Sequence, residues 1–389
     1  MPPLPTVVVR PKGEARALRG HPWIFRSDVL DDRGVPPGAV VRVAGSRGRT
    51  LGYAFYSSRS EIRLRLFERG ETLSPTFLRD RLAAAVRWRE TVARGAGACR
   101  LVHGEGDGLP SLIVDRYGDY LVIQTLSQAT EALKDEIVAA LVELTAPRGI
   151  LERNDPKVRA LEGLESRVGR LHGEVPDVVE VEQDGLKLEA DLWRGQKTGL
   201  FLDQRENHQA VRDYARGRVL DGFTYQGGFA LHAAAGADEV LAVDASAEAV
   251  ARVLANAARN GLANVSALEA NVFDLLREKD EQGERFDTVI LDPPAFAKSK
   301  DAVEKARRGY KEINLRALKL LGPGGCLVTC SCSYHVHEDD FEQIVASAAA
   351  DAGATVQVLE KRRQARDHPI VLGVPETYYL KCLILRRIA

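Results

Sequence analysis

The sequence predicts an α/β protein in which a parallel, doubly wound sheet follows a small N-terminal β barrel and a small central α+β domain. Three observations predict this fold class. From about residue 190 onward, short apolar strands alternate with helix-like segments. Residues 6–72 contain short period-two runs between Gly-rich turns, and residues 98–188 mix both patterns. We expect three domains, at 1–74, 75–188 and 189–389.

The composition of the chain is that of a globular protein, with 45% hydrophobic and 28% charged residues among 389. The Pro-rich start does not resemble a signal peptide, and no apolar run approaches the ~20 residues that span a bilayer. Five cysteines are an odd number and do not form a secreted disulfide framework. We therefore expect a cytoplasmic protein with reduced thiols and no membrane partner.

Positive charge is concentrated at the N-terminal end. The chain has a net charge of −1, yet residues 1–100 hold 18 Arg and one Lys against 9 Asp and Glu. Arginine forks suit phosphate, so this end is predicted to bind RNA; the alternative is an ordinary solvated face. The candidate contacts are Arg10, Arg16, Arg19, Arg63 and Arg65.

The elements of the first two predicted domains follow from local patterns. The runs "VVRVAG" and "IRLRLF" alternate with period two and are predicted to be barrel strands. Residues 75–94 open with Ser-Pro and then show helical spacing, which predicts a helix. Alternating runs on both sides of Asp184-Gly185 predict a β-hairpin.

The third predicted domain holds six candidate strands and the helices between them. One helix is "SAEAVARVLANAARNG", where Gly261 supplies a C-terminal stop. The strands are "RVLDGF", "EVLAVDAS", "VSALEANVF", "FDTVILDPP", "GGCLVTCSCS" and "YYLKCLILRR".

Acidic and polar residues end the first three of these strands, which predicts a cofactor site at one sheet edge. Asp221 precedes the Gly-rich turn "DGFTYQGGF", which is not a GxGxxG motif and so does not indicate a dinucleotide. A carboxylate there suits the ammonium of a methionine-type ligand, and Asp244 is placed to bind a ribose diol. Polar groups at Asn271 and Asp274 would read an adenine edge. The order favours S-adenosylmethionine over NAD.

The fourth strand ends in Asp292-Pro293-Pro294, where two prolines form a rigid lip at the same edge. Ligands of open α/β sheets bind along this edge, so Asp292 is expected to face the methyl donor and its acceptor. The alternative is that Asp292 only caps the next segment.

The fifth strand brings a cluster of cysteines and histidines, "GGCLVTCSCSYHVH", to that edge. A zinc site is disfavoured, because this stretch lacks the CxxC spacing that usually holds zinc. A disulfide is also disfavoured, because a bond between positions i and i+2 of one strand is strained. The remaining interpretations are core thiols and a nucleophile. Cys332 lies nearer the strand's end than Cys330, and a thiolate adding to carbon-6 of a pyrimidine would activate carbon-5.

The chain resembles the bacterial and archaeal 23S ribosomal RNA cytosine-C5 methyltransferases that carry an N-terminal PUA domain. The resemblance covers essentially the whole chain. It rests on "HPWIF" (21–25), "GLPSLIVDRYGDYLVIQ" (108–124), "KTGLFLDQRENH" (197–208), "DGFTYQGGF" (221–229), "DPPAFAKSK" (292–300) and "SCS" (331–333).

The resemblance implies a Rossmann-like class I methyltransferase domain, a central α+β domain and a PUA domain for 23S ribosomal RNA. It implies Cys332 as nucleophile, with Asp292 at the N3/N4 edge of a base that has left its stack. His208 stands where the family has Arg, and Cys330 is an extra thiol. No metal is expected, and a homodimer is a family expectation only. The expected cofactor-binding residues are Phe201, Arg205, Asp221, Phe223, Tyr225, Gly227, Asp244, Ala245, Asn271, Asp274 and Asp292.

Two other functions remain open at this point. The same lip occurs in guanine-N2 methyltransferases of ribosomal RNA, which would leave Cys332 without a role. A non-catalytic RNA-binding protein would keep the basic end but would not need the cofactor strands. Neither the target nucleotide nor the form of the RNA substrate follows from the sequence.

Overall fold

A computed structural model describes residues 3–297 and 300–389 and divides into two compact units. Lys298 and Ser299 of the segment "DPPAFAKSK" lie outside the described residues. The three-domain division at 1–74, 75–188 and 189–389 stays a prediction. Unit 1 holds the described residues of Met1–Val181, with Ala190–Leu200 and Arg366–Thr377; unit 2 holds Glu182–Glu189, the described residues of Phe201–Ala365, and Tyr378–Ala389.

Unit 1 contains eleven strands and five α-helices among its described residues. The strands are β1 (Thr6–Val9), β2 (Trp23–Phe25), β3 (Val29–Asp31), β4 (Val40–Gly45), β5 (Thr50–Tyr56), β6 (Ile62–Glu68), β7 (Ala98–His103), β8 (Leu112–Tyr117), β9 (Tyr120–Thr125), β10 (Gly149–Asn154) and β11 (Arg167–Gly173). The helices are α1 (Pro11–Leu18), α2 (Phe77–Val92), α3 (Gln128–Ala132), α4 (Lys134–Thr145) and α5 (Val158–Leu161).

The first sheet of unit 1 has six strands in the order β2-β6-β5-β4-β1-β3. Val41 and Val43 of the predicted run "VVRVAG" are fully buried, while their neighbours Val40 and Arg42 are partly exposed. The side chains of β4 therefore alternate between the core and the surface, as the period-two pattern predicted. The predicted barrel strands are confirmed.

The second sheet of unit 1 has five strands in the order β11-β10-β9-β8-β7. Its core includes Leu78 and Leu82 of α2 and Ile137 and Leu141 of α4, all almost fully buried. The helix predicted for residues 75–94 is confirmed as α2, although Trp88 of its apolar spacing is exposed.

A two-stranded sheet joins β12 (Val178–Gln183) to β13 (Leu186–Asp191). Asp184 and Gly185 of its turn both have positive φ, 53° and 81°. Two residues with positive φ are typical of the tight turn that matches the twist of a hairpin. The predicted hairpin is confirmed.

Unit 2 is built on a seven-stranded sheet. Its strands are β14 (Gly217–Gly222), β15 (Ala237–Asp244), β16 (Val265–Glu269), β17 (Phe286–Leu291), β18 (Leu321–Ser331), β19 (Val356–Arg363) and β20 (Lys381–Arg387). Its α-helices are α6 (Arg205–Ala210), α7 (Gly228–Ala233), α8 (Ala247–Arg259), α9 (Val272–Glu281), α10 (Val303–Leu320) and α11 (Glu338–Asp351).

The strand order of this sheet is β16-β15-β14-β17-β18-β20-β19. The strands from β16 to β18 are parallel, whereas β20 lies antiparallel between β18 and β19. The predicted doubly wound α/β fold is confirmed, and the chain order reverses beside β14, where such sheets bind ligands. All six predicted strands are present. The strand β19 was not predicted, because it is an edge strand whose side chains are mostly exposed and give no apolar run.

Candidate functional site

The carboxyl ends of β14, β15, β17 and β18 meet at one edge of the sheet because these strands run parallel in register. Leu291 pairs with Gly222 on one side and with Thr329 on the other. The residues that follow each strand therefore share this edge, as the sequence analysis expected for the cofactor and reaction sites.

The turn after β14 has an unusual backbone. Phe223 and Tyr225 have positive φ, 66° and 51°, and Gly227 has a φ of 87°. Positive φ is uncommon for bulky residues and costs free energy, and such strain concentrates at binding sites. Gly228 allows a further close approach, since a Cβ there would lie 2.3 Å from the His208 ring.

Asp221 is the most deeply buried carboxylate of this edge. Its Oδ2 accepts hydrogen bonds from the Thr224 hydroxyl at 2.6 Å and the Ala230 N–H at 3.0 Å. Among the described residues, its Oδ1 has no hydrogen-bond partner. Burial raises the pKa of Asp221 to about 7, and the charges of Asp292 and Asp244 act in the same direction, against the two hydrogen bonds.

The Oδ1 atom of Asp221, which has no partner among the described residues, fits the ammonium of the methionine-type ligand that the sequence predicted. An unsatisfied buried acceptor costs free energy, and a cation beside it would supply both a donor and a compensating charge. S-adenosylmethionine carries an ammonium and a sulfonium. A buried acid with two further acids close by suits these positive charges and would repel the negative charge of a pyrophosphate.

Asp244 ends β15 and holds the loops around it. Its Oδ2 accepts from the Tyr225 N–H at 2.9 Å, and its Oδ1 accepts from the Ser246 N–H at 3.0 Å. Ala245, between these contacts, is exposed. Asp244 therefore fixes the strained turn, and its partly exposed carboxylate stays a predicted ribose ligand.

The structure places Asn271 and Asp274 differently from the sequence expectation. The strand β16 ends at Glu269, so neither residue is a strand end. Asn271 is the N-cap of α9, and its Oδ1 accepts the Phe273 N–H at 2.9 Å. Asp274 lies in the first helical turn, exposed, 3.9 Å from Arg277. Both side chains have local roles, and their contact with the cofactor stays a prediction.

The segment that begins at Phe201 contributes an aromatic contact and two buried polar groups. The Phe201 ring meets the Tyr225 ring edge-on with centroids 4.9 Å apart. The buried Arg205 lies 3.6 Å from Glu206. His208 packs 4.5 Å from Phe229, and burial lowers the pKa of His208 to about 3. His208 is therefore a neutral packing residue, which explains how a histidine is accommodated here.

Gln204 is a site residue that the sequence analysis missed. Its Nε2 donates to Asp292 Oδ1 at 2.9 Å, and its Oε1 accepts from Asn207 Nδ2 at 2.6 Å. Asn207 in turn accepts from Arg362 Nε at 3.0 Å. This chain of hydrogen bonds orients the Asp292 carboxylate. The only signal in the sequence was the position of Gln204 within "LDQR", between two residues that were named.

The two candidate cysteines lie in different environments. Cys330, inside β18, is fully buried opposite Cys382, and burial raises its pKa well above the usual range. Cys332 follows the last residue of β18, is partly exposed, and has its Sγ 3.9 Å from the Pro293 carbonyl oxygen. The strand thus delivers Cys332, and not Cys330, to the lip formed by Asp292 and its prolines.

Neither a metal cluster nor a membrane helix occurs among the residues that the structure describes. Over 3–297 and 300–389 there is no group of three or more His, Cys, Asp or Glu side chains that could hold a metal ion. No α-helix within those same ranges is long and apolar enough to cross a membrane.

Comparison with known proteins agrees with this geometry. A family model described as S-adenosylmethionine-dependent methyltransferase matches residues 135–386, and a PUA-like domain model matches residues 7–69. Proteins named Ribosomal RNA large subunit methyltransferase I are similar over most of the chain. The one from Aeromonas salmonicida is 44% identical and covers 96% of this chain and 97% of its own; that from Cronobacter sakazakii is 41% identical, with the same coverage.

Solved structures share the fold. A protein from Streptococcus mutans described as a SAM-dependent methyltransferase has a TM-score of 0.83 and 22% identity, covering 98% of this chain and 100% of that one. A second methyltransferase, crystallised as a complex with SAH, has a TM-score of 0.84 and the same identity and coverage. With the sheet, the acidic edge and the family match together, the chain belongs to the S-adenosylmethionine-dependent methyltransferases and carries a PUA-like domain in its N-terminal part.

Proposed function

We propose that this protein methylates carbon-5 of a cytosine in large-subunit (23S) ribosomal RNA, with Cys332 as the nucleophile. The observation that carries the proposal is the position of Cys332, partly exposed at the carboxyl edge and 3.9 Å from the Pro293 carbonyl. A methyltransferase acting on an amine has no need of a thiol at this place. The names of the relatives support ribosomal RNA as the substrate.

Cys332 provides what carbon-5 lacks. The ring carbon is a poor nucleophile, and addition of the thiolate to carbon-6 moves the electron pair of the 5,6 double bond to carbon-5. S-adenosylmethionine supplies the methyl group that carbon-5 then takes. Loss of the carbon-5 proton and breakage of the sulfur–carbon bond restore the ring and free Cys332.

In this proposal Asp292 holds the base during the reaction. Its carboxylate accepts from Gln204 through Oδ1, which fixes the orientation of the group. A carboxyl at the N3/N4 edge of cytosine accepts from the exocyclic amine and favours a proton on N3 as the thiolate adds. The target base must leave its stack to reach this edge, at a cost of a few kcal/mol.

The proposed cofactor contacts are Phe201, Arg205, Asp221, Phe223, Tyr225, Gly227, Asp244, Ala245, Asn271, Asp274 and Asp292. Asp221 is the strongest of these, because its buried Oδ1 lacks a donor among the described residues. The described part of Met1–Val181, which contains the PUA-like domain, is proposed to bind the RNA. A homodimer and a cytoplasmic location also stay proposals.

Release of the carbon-5 hydrogen tests the proposal. Ribosomal RNA carrying tritium at cytosine carbon-5 should release tritium to water in step with methyl incorporation. RNA carrying 5-fluorocytosine, which cannot lose that substituent, should remain covalently attached to Cys332, and Cys332→Ala should form no adduct. Methyl incorporation without tritium release would instead favour guanine-N2 methylation, the second candidate for a Pro-Pro lip of this kind.

A further inference from the structure

Lys381 is a buried cation that the proposed reaction does not use. It begins β20, and only 3% of its surface is exposed. Its Nζ donates to the Ser333 carbonyl at 2.8 Å and to the Tyr379 carbonyl at 2.9 Å. Over residues 3–297 and 300–389, no carboxylate lies within ion-pair distance of it. A buried ammonium without a counter-charge is costly, so its retention calls for a compensating group.

The register of the sheet brings Lys381 to the nucleophile. Lys381 pairs directly with Ser331, the last residue of β18, in the antiparallel ladder. Its bond to Ser333 then holds the backbone on the other side of Cys332. Lys381 therefore contacts both flanks of Cys332, with its backbone at Ser331 and with its ammonium at Ser333. An ammonium has three N–H donors, and the two carbonyls take two of them.

Other charged and titratable groups lie near Cys332 and Lys381, and the two carboxylates among them oppose a thiolate. Asp292 immediately precedes Pro293, whose carbonyl oxygen lies 3.9 Å from Cys332 Sγ, and Glu338 of α11 lies within electrostatic range of Lys381. Tyr310 of α10 shares a 2.9 Å hydrogen bond with the Ser333 hydroxyl. His335 lies three residues after Cys332 in the chain. The buried positive charge of Lys381 thus counteracts the negative charges of these two carboxylates.

The protonation of Lys381 agrees with this placement. Burial lowers the pKa of Lys381 to about 8, while the charges of Cys332 and Glu338 act to raise it. The ammonium form is therefore retained at neutral pH. A thiolate nearby would be attracted to that ammonium and would stabilise it in return.

We propose that Lys381 is a positioning residue that stabilises the thiolate form of Cys332. The inference rests on the proposed role of Cys332 as nucleophile. An unperturbed thiol is only a few per cent ionised at neutral pH, so the reaction needs such a group. The sequence offers no Lys or Arg within the strand itself, and Lys381 comes from the neighbouring strand, 49 positions further along the chain.

Alkylation of Cys332 by iodoacetamide, followed across pH by peptide mass spectrometry, tests the inference without RNA or cofactor. The other four cysteines are buried, so labelling of the folded protein reports Cys332. The wild-type reaction should follow a thiolate with a pKa below the roughly 8.5 of free cysteine. Lys381→Met should shift this midpoint upward by about 1 unit or more, and Lys381→Arg should keep it near the wild type.

The matched control is Lys361→Met. Lys361 lies on the adjacent strand β19, is exposed, and pairs with Glu342 at 2.6 Å, so its loss removes the same charge without touching the site. This control should leave the midpoint unchanged. An unchanged midpoint in a folded Lys381→Met protein, checked by circular dichroism, would overturn the inference.

A second measurement protects against a variant that does not fold. The thiolate absorbance of the wild type, with that of Cys332→Ala subtracted, gives the midpoint directly, and a value above that of free cysteine would also overturn the inference. Failure of the proposed function looks different. In that case the thiolate is still stabilised by Lys381, but RNA carrying 5-fluorocytosine forms no adduct.

Discussion

At the scale of single residues, Asp221 couples cofactor binding to pH. Its pKa is raised to about 7 in the folded protein, mainly by burial. The neutral carboxyl therefore contributes stability that is fully present below its ordinary pKa and is lost as pH rises through about 7. The ionised form, by contrast, is the one that attracts a cationic ligand.

We expect the affinity for S-adenosylmethionine to rise between about pH 5.5 and about pH 7, by up to about tenfold per unit, as the carboxyl ionises. Titration calorimetry of the wild type and of Asp221→Asn measures this. The variant should bind more weakly with no such rise, and its thermal stability should vary less over the same range. An equal pH dependence in both proteins would remove Asp221 from the cofactor site.

The two cysteines of the cluster should differ in function because their surroundings differ. Cys332→Ala is expected to abolish methyl transfer and to leave cofactor affinity intact, since the reacting sulfur is removed but the turn after β14 is not. Cys330→Ala should keep most activity, as Cys330 is a fully buried core thiol. The rate of single-turnover methylation, measured for both variants, shows which of the two cysteines is the nucleophile. An inactive Cys330→Ala that folds normally would contradict the assignment.

At the scale of elements, a buried ion pair within unit 1 changes one sequence expectation. Arg65 of β6 donates to Glu162 at 2.8 Å, and both side chains are almost fully buried. Arg63 lies 3.1 Å from Asp32 and is also largely buried. The expectation that Arg63 and Arg65 contact RNA phosphates is therefore wrong, because these charges are already neutralised inside the fold.

We expect Glu162→Ala to lower the free energy of unfolding by about 3–5 kcal/mol, since it leaves Arg65 buried without its partner. Replacing both residues, as in Arg65→Met with Glu162→Leu, should cost less because no charge stays uncompensated. Urea unfolding of the two variants and the wild type gives the comparison. A single variant no less stable than the double variant would contradict this account.

The residues at the ends of the strands explain which site residues could be predicted from the sequence and which could not. The ends of β14, β15 and β17 followed from apolar runs that stop at an acid, so Asp221, Asp244 and Asp292 were found. The end of β16 was placed too late, because the cap formed by Asn271 looks like a continuing polar strand end. Gln204 and Lys381 reach the site by hydrogen bonds and strand register, and no local pattern encodes either.

At the scale of the whole molecule, the basic N-terminal end should give RNA binding its salt dependence. Arg10 and Arg19 are exposed, unlike Arg63 and Arg65. We expect Arg10→Ala with Arg19→Ala to reduce the slope of log affinity against log salt by about 0.7–0.9 for each phosphate that an arginine no longer neutralises. Arg33→Ala is the control, since Asp31 already holds Arg33 at 2.9 Å. Filter binding at several salt concentrations should show no change in slope for the control.

An unchanged slope in the double variant would leave the positive end as a solvated face. In that case the affinity for RNA would have to come from other parts of the chain. The +10 charge of residues 1–100 would then serve solubility alone.

The sequence by itself determined the α/β class, six of the seven strands of unit 2 and the acids at its carboxyl edge. Apolar periodicity and strand-end residues are local signals, so they can be read without coordinates. Strand-end position also selected Cys332 over Cys330 before the structure showed their environments. Only the tertiary structure decided which arginines are buried, and that Gln204 and Lys381 belong to the site. These depend on register and on burial, which bring together residues far apart in the chain, and burial also sets the pKa values on which the chemistry depends.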